Sequence, residues 1–239
     1  MAEAELVVRR DRDALAATVA ERLAGAVEAA IGRRGVAHVV LTGGSMGSAV
    51  VAATVAAAVQ RPLPATGLHL WWGDERFLPV GDPQRNDTQN DEAGLLRLGV
   101  PTTQQHRVLG PDAGVTMDES ARAYGAELAE HGVDVFDVVL LGVGPDGHVA
   151  SLFPHHEAQR EVGEVVAVDA SPKPPPQRVS MTFDRLGASR EVWFVVSGAE
   201  KAEAVRRARG SQDGWECPAS VVRGREATVW FVDEAAAGR

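Results

Sequence analysis

Among the 239 residues, a turn that contains Asp146, Gly147 and His148 has the side chains most suited to acid–base chemistry. The pattern predicts a helix that begins at His148 and continues to Leu152. A helix N-terminus disfavours the charged imidazolium, so we expect a neutral ring that can accept a proton from water. Asp146 could orient that ring or the water. The simpler alternative is a solvated loop histidine, but the position of the turn after an apolar strand favours the functional interpretation.

A second motif, TGGSMG at 42–47, is typical of an anion-binding turn. It stands between a predicted strand and a predicted helix. Glycines there allow backbone N–H groups to approach a phosphate, and the helix N-terminus adds a positive partial charge. An ordinary tight turn could use the same residues, and neither the Walker A nor the Rossmann spacing of glycines is present. The candidate phosphate-binding residues are Thr42, Gly43, Gly44 and Ser45.

The third motif, WWGDER at 71–76, places three charged residues beside two tryptophans. The guanidinium of Arg76 could clamp an anion or stabilise negative charge that develops during a reaction. The alternative is a structural ion pair between an arginine and Asp74 or Glu75. We expect that at least one of these two carboxylates orders the loop instead of touching a ligand.

Each motif follows an apolar segment with strand character. Strands are predicted at 37–41, 68–72, 135–143, 191–196 and 227–232, and helices at 11–31, 48–60, 86–98, 116–131 and 199–208. Strands that alternate with helices predict an α/β fold, with a mostly parallel sheet flanked by helices on both faces and a single domain over 1–239. Ligands of such sheets bind at the carboxyl ends of the strands, so the three motifs can converge on one crevice.

Composition limits the classes of partner. The net charge of −9 argues against nucleic acid and an anionic membrane surface, so an anionic ligand would need a locally positive site. Cys217 is the only cysteine, which fits a reducing cytoplasm. We recognise neither a signal peptide nor an apolar run of the ~20 residues that a bilayer requires.

The spacing of His148, His155 and His156 matches no metal-ligand pattern, so we expect no metal. The tract SPKPPP at 171–176 predicts an exposed extended loop.

Four segments together resemble the 6-phosphogluconolactonase family. They are LTGGS at 41–45, WWGDERFLP at 71–79, FDVVLLGVGPDGHVASLFP at 136–154 and RVSMTF at 178–183. The resemblance implies a modified Rossmann-like sheet of the kind shared with ribose-5-phosphate isomerase and CoA transferases. It also implies hydrolysis of 6-phospho-D-glucono-1,5-lactone to 6-phosphogluconate in the oxidative pentose phosphate pathway, without a metal or an organic cofactor. The expected partner is this small phosphosugar lactone, and the chain is expected to be a monomer or a weak homo-oligomer.

The resemblance also implies roles for individual residues. His148 matches the general base, and Arg76 would face the lactone or the phosphate. The loop at 42–45 would hold the phosphate through backbone N–H groups, with Arg178 and Lys201 as the basic side chains. Lys201 stands out because the chain has only one other lysine. One departure is the pair at 46–47, where Met-Gly replaces the Thr-Pro that is usual in the family.

Two other functions remain open at this point. A glucosamine-6-phosphate deaminase or isomerase shares the glycine-rich loop, the Asp-Glu pair and the DGH turn, although its continuation after DGH differs from the ASLFP found at 150–154. A non-catalytic sugar-phosphate sensor could use the same scaffold. It would bind phosphogluconate and leave the lactone to hydrolyse at its uncatalysed rate.

Overall fold

The computed structural model describes residues 4–239 and is built on a six-stranded sheet whose strand pairings are all parallel. In chain order the strands of this sheet are β1 (Glu5–Arg9), β2 (Ala37–Leu41), β3 (Leu68–Trp72), β5 (Phe136–Leu141), β8 (Ser189–Val196) and β9 (Ala227–Asp233). Their spatial order is β1-β9-β8-β5-β2-β3. The Rossmann-like α/β fold expected from the sequence is therefore confirmed.

Helices cover both faces of this sheet. They are α1 (Arg12–Arg34), α2 (Gly44–Ala58), α3 (Asn86–Glu92), α4 (Met117–Glu130), α5 (Phe183–Gly187) and α6 (Ala202–Gly210). On one face of the sheet, α1 and α2 pack against every second strand residue and form one apolar core. On the opposite face, α4 and α6 pack against the remaining strand residues and form the other core. This arrangement follows from the period of two along each strand, which divides the side chains between the two faces.

The N-terminal helix shows how the apolar pattern is used. Helix α1 begins after Asp11, whose carboxylate accepts a hydrogen bond from the backbone N–H of Ala14 at 2.8 Å. A side chain in this position satisfies one of the free N–H groups of the first turn. The predicted apolar stripe is buried at Leu15, Val19 and Leu23, which fixes the helix on the sheet. Among residues 4–239, no helix combines the length and the apolar character needed to cross a membrane.

A second, smaller sheet was not predicted from the sequence. It consists of β4 (Asp74–Arg76), β6 (Val165–Val168) and β7 (Arg178–Met181), paired antiparallel in the order β4-β7-β6. Apolar side chains of β6 and β7 join the core on the side of α4. The register places Arg76 directly opposite Arg178, so this sheet brings together two residues that are far apart in the chain.

Several predicted elements differ from the structure in their limits. The helix expected at 48–60 begins earlier, at Gly44, so most of the TGGSMG motif is helical. The helix expected at 86–98 divides into α3 and a short 3-10 turn at Leu95–Leu98.

The helix expected to begin at His148 is wrong. Residues 145–152 form consecutive turns, and Val149 and Leu152 make an isolated antiparallel bridge. Ala150 has a φ of 48°, which does not occur within a right-handed helix.

Candidate active site

The three motifs meet in one crevice at the carboxyl ends of the central strands. Two segments from later in the chain complete its walls. The crevice is lined by Thr42, Gly43, Gly44, Asp74, Arg76, Asn86, Gly142, Val143, Gly144, Pro145, His148, Ala150, Lys173, Arg178 and Lys201. All the candidate residues from the sequence are therefore in its wall except Ser45 and Asp146. Asp146 lies just behind His148, whereas Ser45 is exposed outside the crevice.

His148 and Asp146 form a hydrogen-bonded pair. His148 Nδ1 lies 2.6 Å from Asp146 Oδ1, and the His148 side chain is 18% exposed. Because a carboxylate only accepts hydrogen bonds, the proton of a neutral ring belongs on Nδ1 and the lone pair on Nε2. The arrangement therefore leaves one basic nitrogen on His148, as a general base requires.

The environment keeps His148 neutral, although not for the reason expected from the sequence. No helix begins at this residue, so a helix dipole does not act on it. Burial lowers the pKa of His148 below its usual value, and the charge of Lys173 lowers it further, whereas Asp146 raises it. Burial raises the pKa of Asp146, but the hydrogen bond with His148 and the ammonium of Lys173 lower it by more, so this pKa lies well below its usual value and the carboxyl is ionised.

Lys173 is a site residue that the sequence did not reveal. Its Nζ lies 3.2 Å from Asp146 Oδ1 and 3.1 Å from His148 Nδ1. Since Nδ1 carries a proton in the neutral ring, the ammonium donates to the carboxylate instead. The tract at 171–176 was expected to be an exposed loop, but it brings Lys173 into the crevice. The scarcity of lysine that drew attention to Lys201 applies equally to Lys173 and could have identified it.

The glycine at 144 creates the space that His148 occupies. A Cβ atom on Gly144 would lie 2.0 Å from His148 Nδ1 and 2.4 Å from Asp146 Oδ1. Real side chains do not approach so closely, so this position excludes any residue larger than glycine unless the pair moves. The ring of His148 also packs on Phe153, with 4.5 Å between the ring centroids.

The ASLFP segment after His148 ties this turn to the small sheet. Ser151 Oγ donates to Asp74 Oδ2 at 2.6 Å, and the backbone N–H of Ser151 donates to Ser180 Oγ at 3.2 Å. Leu152 and Phe153 are fully buried. These contacts anchor the His148 turn to β4 and β7. The ASLFP segment, in which the sequence differs from glucosamine-6-phosphate deaminases, therefore positions this turn.

Four cationic side chains line the crevice: Arg76, Lys173, Arg178 and Lys201. Arg76 and Arg178 are cross-strand partners, a pairing of like charges that is unfavourable without an anion nearby. Burial lowers the pKa of Lys201, and the neighbouring charge of Lys173 adds to the effect. The crevice therefore concentrates positive charge on a chain whose net charge is −9.

Arg178 has a structural function besides its place in the wall. Its Nε donates to the carbonyl of Pro175 at 3.1 Å, and its Nη2 donates to the carbonyl of Lys173 at 3.0 Å. Its Nη1 lies 3.9 Å from Asp74 Oδ2. Arg178 thus holds the loop that carries Lys173, and only part of its guanidinium remains for a ligand.

The loop at 42–44 forms the wall at the N-terminus of α2. The backbone N–H of Gly44 donates to Gln89 Oε1 at 3.2 Å, so this donor already has a partner. Gly47, which stands where the family usually has proline, packs against the strand end: a Cβ there would lie 2.1 Å from the carbonyl oxygen of Thr42. The departure at 46–47 therefore permits close contact between α2 and the loop.

The two carboxylates of the WWGDER motif have different surroundings. Glu75 is buried and accepts backbone hydrogen bonds from Asn86 at 2.7 Å and Asp87 at 2.9 Å, so it caps the first turn of α3. Burial, with the negative charge of Asp87, raises the pKa of Glu75 to about 8. Asp74 instead reaches the crevice wall. Glu75 is thus the carboxylate that orders the loop.

Comparison with known proteins agrees with this geometry. The chain matches the family described as "Glucosamine-6-phosphate isomerases/6-phosphogluconolactonase" over residues 10–230. It is 43% identical to a 6-phosphogluconolactonase of Streptomyces coelicolor, with 98% of this chain and 94% of that protein covered. A 6-phosphogluconolactonase of Mycobacterium tuberculosis is also 43% identical, with 96% of this chain and 95% of that protein covered. The crystal structure of the Thermotoga maritima 6-phosphogluconolactonase matches with a TM-score of 0.85 at 29% identity, over 97% of this chain and 100% of that chain. The chain therefore belongs to the family of glucosamine-6-phosphate isomerases and 6-phosphogluconolactonases.

Proposed function

We propose that this chain hydrolyses 6-phospho-D-glucono-1,5-lactone to 6-phosphogluconate, with His148 as the base that activates water. The reaction is the lactone-opening step of the oxidative pentose phosphate pathway. The observation that carries the proposal is the hydrogen-bonded pair of His148 and Asp146 in a crevice lined by four cations. A base beside an anion-binding surface suits a phosphorylated, neutral carbonyl substrate that must be attacked by water.

The phosphate of the substrate binds between the small sheet and the loop at 42–44. Arg178 and Lys201 supply charge, and the N-terminus of α2 adds a positive partial charge. The negative charge of a bound phosphate would also offset the repulsion between Arg178 and the opposed Arg76.

Hydrolysis proceeds in two proton-coupled steps. His148 Nε2 takes a proton from water, and the oxygen of that water bonds to the lactone carbonyl carbon, with Arg76 stabilising the oxyanion. The tetrahedral intermediate then collapses, the bond between the carbonyl carbon and the ring oxygen breaks, and the imidazolium returns its proton to the departing oxygen. The product is the open-chain acid, which loses its proton to solvent and becomes the carboxylate.

Lys173 has a positioning role in this scheme. Its ammonium donates to Asp146 at 3.2 Å, which holds the carboxylate in place to orient the His148 ring. Its charge also disfavours the imidazolium, so it keeps the resting base neutral and makes the protonated base a better acid toward the leaving oxygen.

Freshly prepared lactone distinguishes the possible functions. We expect the purified chain to form 6-phosphogluconate well above the spontaneous rate and to release no ammonia from glucosamine 6-phosphate. Ammonia release would instead identify a deaminase. Tight binding of 6-phosphogluconate without any acceleration of hydrolysis would identify a sensor, and either result would refute the proposal.

The domain organisation, compartment, oligomeric state and partners of the chain are also proposals. We infer a single catalytic domain over 1–239 that acts in the cytoplasm on a small molecule, as a monomer or weak homo-oligomer, without a nucleic-acid or membrane partner. The net charge of −9 and the buried, unpaired thiol of Cys217 support this inference. Light scattering after size-exclusion chromatography would measure the oligomeric state.

A further inference from the structure

Four of the seven histidines lie together, away from the crevice. His38 and His69 are register partners at the start of β2 and β3, whereas the crevice lies beyond the ends of these strands. His106 stacks on Trp71 on the same face of the sheet, with 3.7 Å between ring centroids. His131 follows the last turn of α4 and stands edge-on to His106, with ring centroids 4.4 Å apart.

Three of these rings present nitrogen atoms to a common point. One ring nitrogen from each of His69, His106 and His131 lies within 4.8 Å of the others. The separation between His69 Nδ1 and His106 Nε2 is 2.9 Å. In a tetrahedral zinc site the nitrogens lie about 2.0–2.1 Å from the metal, which places them roughly 3.3 Å from one another. The half-buried His69 and the buried His106 are close to that spacing, and the exposed His131 can rotate toward them.

The surroundings of the buried His106 resemble the outer shell of a metal site. His106 Nδ1 lies 2.7 Å from Glu127 Oε1, so the proton of this ring is on Nδ1 and its Nε2 lone pair faces His69. Metal-binding histidines commonly donate their other N–H to a carboxylate in this way. Glu127 thereby fixes both the tautomer and the direction of a ligand nitrogen.

The other ring, His69, is half-buried, and its partner Gln104 must rearrange when a metal binds. Without a metal, His69 Nδ1–H donates to His106 Nε2, and Gln104 Nε2 donates to His69 Nε2 at 3.0 Å. Gln104 Oε1 is buried and has no hydrogen-bond partner among residues 4–239. When the His69 proton moves from Nδ1 to Nε2, the Gln104 amide must turn its Oε1 toward that N–H, which breaks the 2.7 Å hydrogen bond from Gln104 Nε2 to the Thr66 carbonyl. The Nδ1 lone pair is then free, with no net change in protonation.

We propose that His69, His106 and His131 bind one divalent transition-metal ion of the kind that prefers imidazole, such as Zn²⁺, with water completing the coordination. Such a site is not visible in the sequence because the three ligands are spread over 69–131 and come from a strand, a loop and a helix end. The site is distinct from the catalytic crevice and does not depend on the lactonase reaction. The competing interpretation is a hydrogen-bonded histidine cluster that only satisfies buried polar groups.

Calorimetric titration of the full chain with Zn²⁺ tests the proposal. We expect one ion per chain in the wild type, and binding at least tenfold weaker in His131→Ala. Glu127→Ala should weaken binding by about 10- to 100-fold because the orientation of His106 is lost. Matched controls are His155→Ala, which removes an exposed histidine elsewhere, and His148→Ala, which removes the crevice histidine. Both should retain the wild-type affinity.

Two results would overturn the metal site. One is the absence of binding to the wild type at about 100 µM Zn²⁺. The other is binding that persists in His131→Ala but disappears in His148→Ala or His155→Ala. Imidazole resonances in the wild type give an independent readout if a variant does not fold: Zn²⁺ should shift those of His69, His106 and His131 and leave the others in place.

Discussion

Replacement of Gly144 by alanine tests whether the position of His148 limits the reaction. The added Cβ would lie 2.0 Å from His148 Nδ1. Gly144 is not among the glycines with a left-handed φ, so its backbone accepts alanine, and the conflict is confined to the side chains of the catalytic pair. The variant keeps every group that binds substrate or transfers a proton.

The size of the effect follows from the geometry. The imidazole must retreat by about 1.4 Å to restore ordinary van der Waals contact. Misplacement of a reacting group by about 1 Å can lower a rate by 10²-fold. We therefore expect kcat for lactone hydrolysis to fall by about 10²-fold, which corresponds to roughly 2.7 kcal/mol of transition-state stabilisation. KM should change little because the cations of the crevice are untouched.

The assay is initial-rate hydrolysis of fresh lactone, corrected for the spontaneous reaction. Gly142→Ala is the matched control: Gly142 also lines the crevice, but a Cβ there meets only Thr42 Oγ1, at 3.6 Å. The control should retain kcat within a few-fold. If Gly144→Ala were as active as Gly142→Ala and equally well folded by circular dichroism, the position of the His148 ring would not limit the reaction.

Substitutions at four further residues probe the surroundings of the site. Lys173→Met removes a charge that lowers the pKa of His148, so the acidic limb of the plot of kcat/KM against pH should move to higher pH. Lys173→Arg keeps the charge and should return this limb to its wild-type position. Lys201→Ala should raise KM by about 10- to 100-fold with little change in kcat, whereas Arg178→Ala, which also frees the Lys173 loop, should change both. Arg85→Met breaks a fully buried ion pair and should lower the free energy of unfolding by about 3–5 kcal/mol in urea.

Five of the six strands of the main sheet could be predicted because they have a simple pattern, whereas the partly exposed edge strand β1 was not predicted. Strands β2 and β3 are short apolar runs next to glycine-rich turns, and both were located at their observed limits. A strand buried on both faces needs apolar residues along its whole length, which makes it visible in the sequence. In the small sheet β4 lacks this signal because it is the charged tripeptide Asp74–Arg76, whereas β6 has it in the short run VVAV. The pairing of β4 with β7 depends on contacts between distant segments.

The catalytic pair was found for a partly wrong reason. The sequence located His148 and Asp146, but attributed the neutral ring to a helix dipole that the structure does not contain. The Ser151 side chain and backbone instead bind Asp74 and Ser180, which holds 148–153 as turns. Such tertiary contacts override a local helical preference. The approach of Lys173 to the pair is likewise tertiary, so only the rarity of lysine pointed to it.

The most direct test of the central claim is turnover by His148→Ala at saturating lactone. Removal of a general base should lower kcat by about 10²–10⁴-fold. Because the cations of the crevice remain, the Kd for 6-phosphogluconate should stay within a few-fold of the wild-type value. Near-normal turnover by a folded His148→Ala protein would contradict the account, since no other residue has been assigned to activate the attacking water.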